Sequence, residues 1–140
     1  MRFNSRKDSY FIVFMGATLL FCVGCLFQML LQPMDKGEIF ALVVLVLTIV
    51  LLVWIWLDTG YTITPNKVTY KSGPFKGSIS VDRIQKIAIG KTLWAGLRPA
   101  TAMKGLVIYY NKYDEIYLSP DSNERFIKLL LNHNPSIKII

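Results

Sequence analysis

Few residues in this 140-residue chain combine the types and spacing that chemistry requires. Cys22 and Cys25 have Cys-x-x-Cys spacing, but they lie inside an apolar run, where thiols are poorly ionised and pack as small apolar groups. The single histidine, His133, ends a predicted helix and is expected to interact with its last carbonyls. Asp114 and Glu115 are neighbours on a predicted strand, so their side chains diverge. We therefore predict a non-enzymatic protein with no catalytic residue, no metal ligand and no cofactor.

Two apolar runs without a charged residue, 10–31 and 39–57, stand near the start of the chain. As helices they would measure about 33 Å and 28 Å, which matches the roughly 30 Å hydrocarbon core of a bilayer. The short linker between them contains Pro and Gly and favours an antiparallel pair. We predict a transmembrane hairpin over 10–57, a basic N-terminal segment at 1–9 and one folded domain at 60–140.

Aromatic residues mark the end of the second run. Trp54 and Trp56 lie near its last residue, and Tyr61 follows a few positions later. Indole and phenol rings favour the boundary between acyl chains and headgroups. These three residues are predicted to anchor the hairpin at the membrane interface.

Basic residues flank the hairpin on both outer sides. Within a net charge of +7, three basic residues precede the first run, only Lys36 lies between the runs, and Lys67, Lys71 and Lys76 follow the second. Lys and Arg are retained on the cytoplasmic side during insertion. Both termini, and the domain with them, are predicted to face the cytoplasm.

After the second run the pattern changes to alternating apolar and polar residues with frequent turns, which is typical of β-strands. The short connections favour antiparallel pairing. The predicted strands are Tyr61–Ile63, Lys67–Ser72, Gly77–Val81, Ile84–Lys91, Gly105–Tyr110 and Glu115–Ser119. The residues expected to point into the core are Ile87 with Ile89, Leu106 with Ile108, and Ile116 with Leu118.

A helix is predicted from Ser119, as its cap, to about Asn132, with Pro120 at the first helical position. Its apolar stripe consists of Phe126, Ile127, Leu130 and Leu131. Such a stripe must cover an apolar surface, most simply the open end or face of the sheet. The predicted fold class is α+β: a helical hairpin, then a bent antiparallel sheet closed by one amphipathic helix.

The connection 92–104 combines large apolar and basic groups. One possibility is that it contacts lipid headgroups or a protein partner. The other is that Leu93 and Trp94 pack back over the barrel. The residues predicted to contact a membrane or partner are Leu93, Trp94, Leu97, Arg98, Lys86, Lys91 and Lys104. The predicted partners are the bilayer, its anionic headgroups, and a membrane protein or a second copy of the chain. Nucleic acid is not predicted, because the membrane tether already accounts for the basic charge.

Several segments together resemble the short bacterial pleckstrin-homology-like (PH-like) domains with N-terminal membrane spans, the group that includes the sublancin immunity protein. The segments that carry the resemblance are Tyr61-Thr62-Ile63-Thr64, Ile84–Ile89, Leu106–Tyr110, Ile116–Pro120, Phe126-Ile127 and Asn134-Pro135. In one departure, Ala102-Met103-Lys104-Gly105 stands where a Ser-x-x-Arg element is expected, so no role of that arginine is carried over.

The resemblance implies a PH-like barrel with a capping helix. The protein is predicted to cross the inner membrane of a bacterium twice, with the barrel and both termini in the cytoplasm. The preferred hypothesis for function is a non-enzymatic interaction module that acts on the lipid surface or on a protein. Two alternatives stay open: an immunity or stress protein that protects against a membrane-active bacteriocin, and a small anchoring or regulatory subunit of a membrane complex.

Overall fold

Two long helices lie between the first and second strands of the fold. The computed structural model describes residues 1–33, 35–93 and 96–140. Helix α1 covers Ser9–Leu30 and helix α2 covers Lys36–Leu57, so the two predicted runs are confirmed as helices. Both are long and apolar enough to cross a membrane.

A side-chain carboxylate caps the N-terminus of each long helix. Asp8 accepts a hydrogen bond from Phe11 N at 2.9 Å, which satisfies one of the free N–H groups at the start of α1. At the start of α2, Glu38 N donates to Asp35 Oδ1 at 2.8 Å and Asp35 N donates to Glu38 Oε2 at 3.0 Å, forming a capping box. Capping therefore sets the residue at which each helix begins.

Most of the surface of the two helices is left uncovered by the described part of the chain. Met15 and Cys22 are the buried residues of α1, and α2 has none. A helix in the core of a water-soluble protein would bury a continuous apolar stripe. The exposed apolar surface of α1 and α2 is instead what a bilayer would cover.

The first sheet is antiparallel and has the order β1-β2-β3-β4. Its strands are β1 (Arg2–Asn4), β2 (Thr59–Ile63), β3 (Lys67–Ser72) and β4 (Phe75–Ser80). β1 precedes the helices and β2 follows them, and the two pair directly, with Phe3 opposite Tyr61. The helical hairpin is thus an insertion in the connection between two neighbouring strands.

The second sheet has the order β7-β6-β5-β8. Its strands are β5 (Ile84–Ile89), β6 (Leu106–Tyr110), β7 (Asp114–Leu118) and β8 (Lys138–Ile139), with helix α3 (Asn123–His133) between β7 and β8. β5, β6 and β7 are antiparallel neighbours, and β8 adds in parallel to the outer side of β5.

The main core lies between the two sheets and under α3. Phe126, Ile127 and Leu130 are buried, which confirms the predicted apolar stripe of this helix. The ring of Phe126 packs edge-on against Phe3 and Tyr61, with centroids 5.2 Å and 6.2 Å away. Because Phe3 belongs to β1, the residues before the helices complete the core of the domain that follows them.

The predicted succession of six strands and one helix is confirmed, and strand bounds differ by at most two residues. Two strands were missed: β1, in the segment expected to be only a basic tail, and the two-residue β8. Ser119 does not cap the helix; Ser122 does, by accepting from Arg125 N at 3.3 Å. Ile89 does not join the core, because it ends β5 and remains 46% exposed.

Candidate interaction surface

The ends of the two helices identify one end of the domain. Directly below them, Ser5 N donates to Thr59 O at 3.1 Å, which joins the chain entering α1 to the chain leaving α2. Arg6 N donates to Ser119 O at 2.7 Å, which brings the end of β7 to the same place. Both sheets therefore meet the helical hairpin at one end.

Strand register shows which connections share that end. Leu106 pairs with both Ile89 and Leu118, so the β5–β6 connection lies there, and Ser72 pairs with Thr59, so the β3–β4 turn does too. We call segments 6–8, 73–76, 90–92 and 98–104 the proximal surface. The turns at 64–66, 81–83 and 111–113 lie at the opposite, distal end.

A buried group of hydroxyls joins the segments beneath the proximal surface. Tyr61 Oη accepts from Ser119 N at 3.1 Å, donates to Pro99 O at 2.7 Å and lies 3.0 Å from Ser5 Oγ. Ser5 Oγ in turn lies 2.9 Å from Ser119 Oγ and 2.8 Å from Thr101 Oγ1. These contacts connect β1, β2, the β5–β6 connection and the end of β7.

The prediction that Tyr61 anchors the protein at the lipid interface is wrong. Its side chain is 1% exposed and belongs to the core of the domain. Burial raises the pKa of its phenol above the ordinary value of 10.0. A phenol with a buried hydroxyl needs partners inside the protein, and Tyr61 has them.

Tyr117 holds the β5–β6 connection against the second sheet. Its hydroxyl donates to Ala102 O and accepts from Gly105 N, both at 2.8 Å, and its backbone N–H donates to Leu97 O at 3.1 Å. The guanidinium of Arg98 lies 5.0 Å from the centre of its ring. The connection is therefore fixed on the sheet at several points, and Arg98 has a defined position on it.

Gly105 permits the close approach of this connection to β7. A Cβ at Gly105 would collide with the carbonyl oxygen of Leu118. We expect Gly105→Ala to lower the free energy of unfolding of the domain by about 1–3 kcal/mol, as overpacking does in cores. Pulse proteolysis across a urea series in mild detergent measures this, with Gly16→Ala, which meets nothing within 4 Å, as the control. Equal stability of the two variants would contradict the expectation.

The structure separates the residues predicted to contact a membrane or partner. Leu93 folds back and packs against a small cluster of Ala88, Val107 and Tyr117 on the outer face of the second sheet. Trp94 lies outside the described residues. For Leu93 the structure therefore matches the alternative in which the loop covers the barrel.

The remaining predicted contact residues fall into two places. Lys91, Arg98 and Lys104 belong to the proximal surface, whereas Leu97, which is 46% exposed, forms a bridge with Ile116 in the middle of β7. Lys86 lies within β5, away from this surface, with its ammonium 4.7 Å from the ring centre of Tyr109. Three of the seven residues are thus brought together at the helix-proximal end.

The two tryptophans at the end of α2 have different surroundings. Trp54 is half-exposed, and its indole N–H donates to Asp58 Oδ2 at 3.1 Å. Trp56 packs edge-on against Phe11 of α1 at 6.2 Å. Trp56 thus joins the two helices, and the anchoring of both indoles at a membrane interface stays a prediction.

Asp58, which follows α2 directly, is paired with a lysine of β3. Lys71 Nζ lies 2.5 Å from Asp58 Oδ2, and its hydrogen bond lowers the pKa of the carboxyl below 3.8. This ion pair engages the ammonium of Lys71 and holds the end of α2 against the first sheet. It leaves Lys76, the cross-strand neighbour of Lys71, exposed at the proximal surface.

Sequence reasoning missed the contribution of the β3–β4 turn. Gly73 packs closely against Ile55 in the last turn of α2, so the turn reaches the level of the apolar helix. Phe75 follows with its side chain 64% exposed, next to Lys76. A phenylalanine and a lysine directly after a Gly-Pro turn were the available signal.

The proximal surface combines the exposed side chain of Phe75 with several cations, which suits contact with an anionic, amphiphilic surface. Its exposed or half-buried cations are Arg6, Lys7, Lys76, Lys91, Arg98 and Lys104. Within residues 1–33, 35–93 and 96–140, no cluster of His, Cys, Asp or Glu could hold a metal ion.

Comparison with known proteins identifies the family. Residues 59–134 match the family described as Bacterial PH domain, which spans β2 to the end of α3. The chain is also 30% identical over 90 residues to the uncharacterized protein YyaB of Bacillus subtilis (strain 168), covering 64% of this chain and 62% of YyaB. No solved structure matches. Since the family match covers more than half of the chain, this protein belongs to the bacterial PH domain family.

Proposed function

We propose that this protein is a membrane-anchored, non-enzymatic interaction module that holds its proximal surface against an anionic lipid leaflet. The observation that carries the proposal is the pairing of β1 with β2 on either side of the helical hairpin. With α1 and α2 in a bilayer, this pairing turns the proximal surface toward the headgroups, where anionic lipid can draw it into contact. The N-terminal segment and the PH-like domain then lie on the same side of the membrane.

The charge distribution favours the cytoplasmic leaflet of a bacterial inner membrane. Basic residues precede α1 and follow α2, whereas Asp35, Lys36 and Glu38 at the far end of the hairpin sum to a negative charge. By the positive-inside rule, the domain lies in the cytoplasm. The inner surface of that membrane carries anionic lipid, which attracts the cations of the proximal surface.

Electrostatic attraction of this kind is additive and short-ranged. Each Lys or Arg near an anionic leaflet contributes about 1 kcal/mol, and the effect falls off within a Debye length of roughly 8–10 Å. The distal cations lie a domain's length away and contribute little. Phe75 adds apolar contact where its turn lies against α2.

The test compares two triple variants with the same change of charge in the full chain. One neutralises the proximal lysines with Lys76→Gln, Lys91→Gln and Lys104→Gln; the other neutralises distal or strand lysines with Lys67→Gln, Lys112→Gln and Lys138→Gln. All six lysines are exposed. The protein is placed in nanodiscs of phosphatidylcholine, with or without phosphatidylglycerol, that contain a small fraction of gadolinium-chelating lipid.

The readout is the broadening of methyl NMR signals by the paramagnetic lipid. We expect Met103 to broaden more in the phosphatidylglycerol discs, because docking brings the proximal surface to the headgroups. The proximal variant loses about 3 kcal/mol of attraction and this extra broadening, and the distal variant keeps both. Equal broadening in both lipid mixtures, or equal loss in both variants, would overturn the proposal.

A role as an anchoring or regulatory subunit is a second candidate. Gly16 and Gly24 of α1 have open space around them, which would let a partner helix approach closely. Extraction from native membranes in mild detergent tests this role, since a subunit would elute with its complex and a lone monomer would argue against it.

A further inference from the structure

A groove along the start of α1 opens onto the proximal surface. A cavity of about 350 Å³ lies between the first turns of α1 and residues 98–103 of the β5–β6 connection. It opens onto an apolar face of α1 that includes Val13 and Ala17, since Tyr10 and Phe14 belong to both. The volume of the cavity lies within the roughly 300–1,000 Å³ that is usual for ligand sites.

The two parts of the groove differ in chemistry. The part along α1 is almost entirely apolar and runs from Ser9 to Ala17, which is about 12 Å along the helix axis. The part next to the domain includes Arg98 in its wall. Arg6 and Lys104 line the adjoining surface, which shares Tyr10 with the cavity.

Positive charge dominates the domain end of the groove. Three cations lie there with one carboxylate, Asp8, whose oxygens accept backbone hydrogen bonds from Phe11 N at 2.9 Å and Met103 N at 2.7 Å. Asp8 is therefore engaged in holding α1 to the β5–β6 connection. A guanidinium carries five donors, so Arg98 can stack on Tyr117 and still bind an anion.

We propose that this groove binds one anionic glycerophospholipid, with its headgroup at Arg98, Arg6 and Lys104 and one acyl chain against Tyr10 and Phe14. The inference rests on the proposed placement of the helices in a membrane. It goes further than surface docking, because it assigns a single bound molecule with a defined orientation. Charge complementarity at one end and an apolar groove parallel to the helix at the other match the two parts of such a lipid.

Native mass spectrometry of the full chain in mild detergent tests the proposal. The probe is an equimolar mixture of phosphatidylglycerol and phosphatidylethanolamine with identical acyl chains. We expect a complex with one lipid, in which phosphatidylglycerol predominates.

Arg98→Gln tests the headgroup end. Loss of one charge-assisted hydrogen bond is expected to lower the preference for phosphatidylglycerol roughly tenfold. Arg83→Gln, at the distal end, removes the same charge and is expected to leave the preference unchanged. Pulse proteolysis verifies that both variants keep the folded domain.

Phe14→Asn tests the acyl end. Phe14 and its control Phe40 are 72% and 71% exposed, so neither substitution disturbs a core. Phe14→Asn places an amide in the groove and is expected to abolish retention of both lipids, whereas Phe40→Asn, at the start of α2, is expected to retain them.

Several results would overturn the lipid site: no retained lipid, equal retention of the two lipids by the unaltered chain, identical behaviour of the paired variants, or a bound protein chain in place of a lipid. The outcome is independent of the nanodisc experiment. Loss of docking with the detergent complex intact would refute the proposed function alone, and docking without a retained lipid would refute the site alone.

Discussion

Phe3→Ala is expected to lower the free energy of unfolding of the PH-like domain by about 3–5 kcal/mol, the usual loss for a large aromatic residue in a core. The ring is 1% exposed and packs edge-on against Phe126 of α3. Its removal leaves a cavity where β1, β2 and α3 meet. Pulse proteolysis across a urea series in mild detergent measures the change.

The matched control for this substitution is Phe75→Ala. Phe75 is 64% exposed at the tip of the β3–β4 turn, so its removal is expected to change stability in detergent by less than about 0.5 kcal/mol. If Phe3→Ala left the free energy of unfolding as unchanged as the control does, β1 would not be part of the folded unit.

Tyr61→Phe is expected to cost about 2–4 kcal/mol, because the lost hydroxyl leaves Ser119 N and Pro99 O buried without their partner. The phenyl ring keeps its packing against Phe126, so the change in the free energy of unfolding reports the loss of the hydrogen bonds alone. Tyr113→Phe, at a side chain that is 85% exposed, is the control and is expected to be neutral. Equal stability of these two variants would contradict the role assigned to the buried hydroxyls.

The dependence of stability on pH gives a second measurement for Tyr61. Burial raises the pKa of its phenol, so the folded protein holds this proton at a pH where the unfolded chain has released it. The contribution is fully present below the ordinary pKa of 10.0 and is lost as pH rises through the folded value. Tyr61→Phe should flatten the alkaline decline, and the slope that remains includes Tyr110, whose pKa burial also raises.

The elements predicted well from the sequence are those with a strong local period. Apolar and polar residues alternate over 67–72, and turn residues flank this segment on both sides. Both bounds of β3 agree with the prediction. The apolar stripe of α3 likewise fixed which residues it buries. In each case the pattern belongs to one uninterrupted segment, and packing follows from it directly.

β1 could not be predicted in this way. Its three residues carry a single buried side chain, Phe3, and no period can be read from so short a segment. Its partner strand begins only after both helices, so nothing local indicates the pairing. The role of Tyr61 was misjudged for the same reason, since its hydrogen-bond partners lie on three distant segments, at Ser5, Pro99 and Ser119.

The candidate site was predicted in part. The basic and apolar composition of the β5–β6 connection indicated an interaction surface, and Arg98, Lys91 and Lys104 do lie at the helix-proximal end, whereas Leu97 bridges Ile116 in β7. Lys86 does not, because strand register places it within β5. The groove along α1 depends on how the helix meets residues 98–103, which only the tertiary structure reveals.

The position of the helical hairpin between β1 and β2 has a consequence for biosynthesis. β1 leaves the ribosome before both helices, yet its neighbour β2 is made only after them. Joining distant parts of a flexible chain carries an entropic cost that grows with the length between them. In the proposed membrane placement, the two antiparallel helices bring Asn4 and Gly60 together beforehand, and insertion offsets much of that cost. A polypeptide that failed to insert would then leave Phe3 without its packing partners and the first sheet one strand short, so the proposal makes delivery to the bilayer a condition for complete folding.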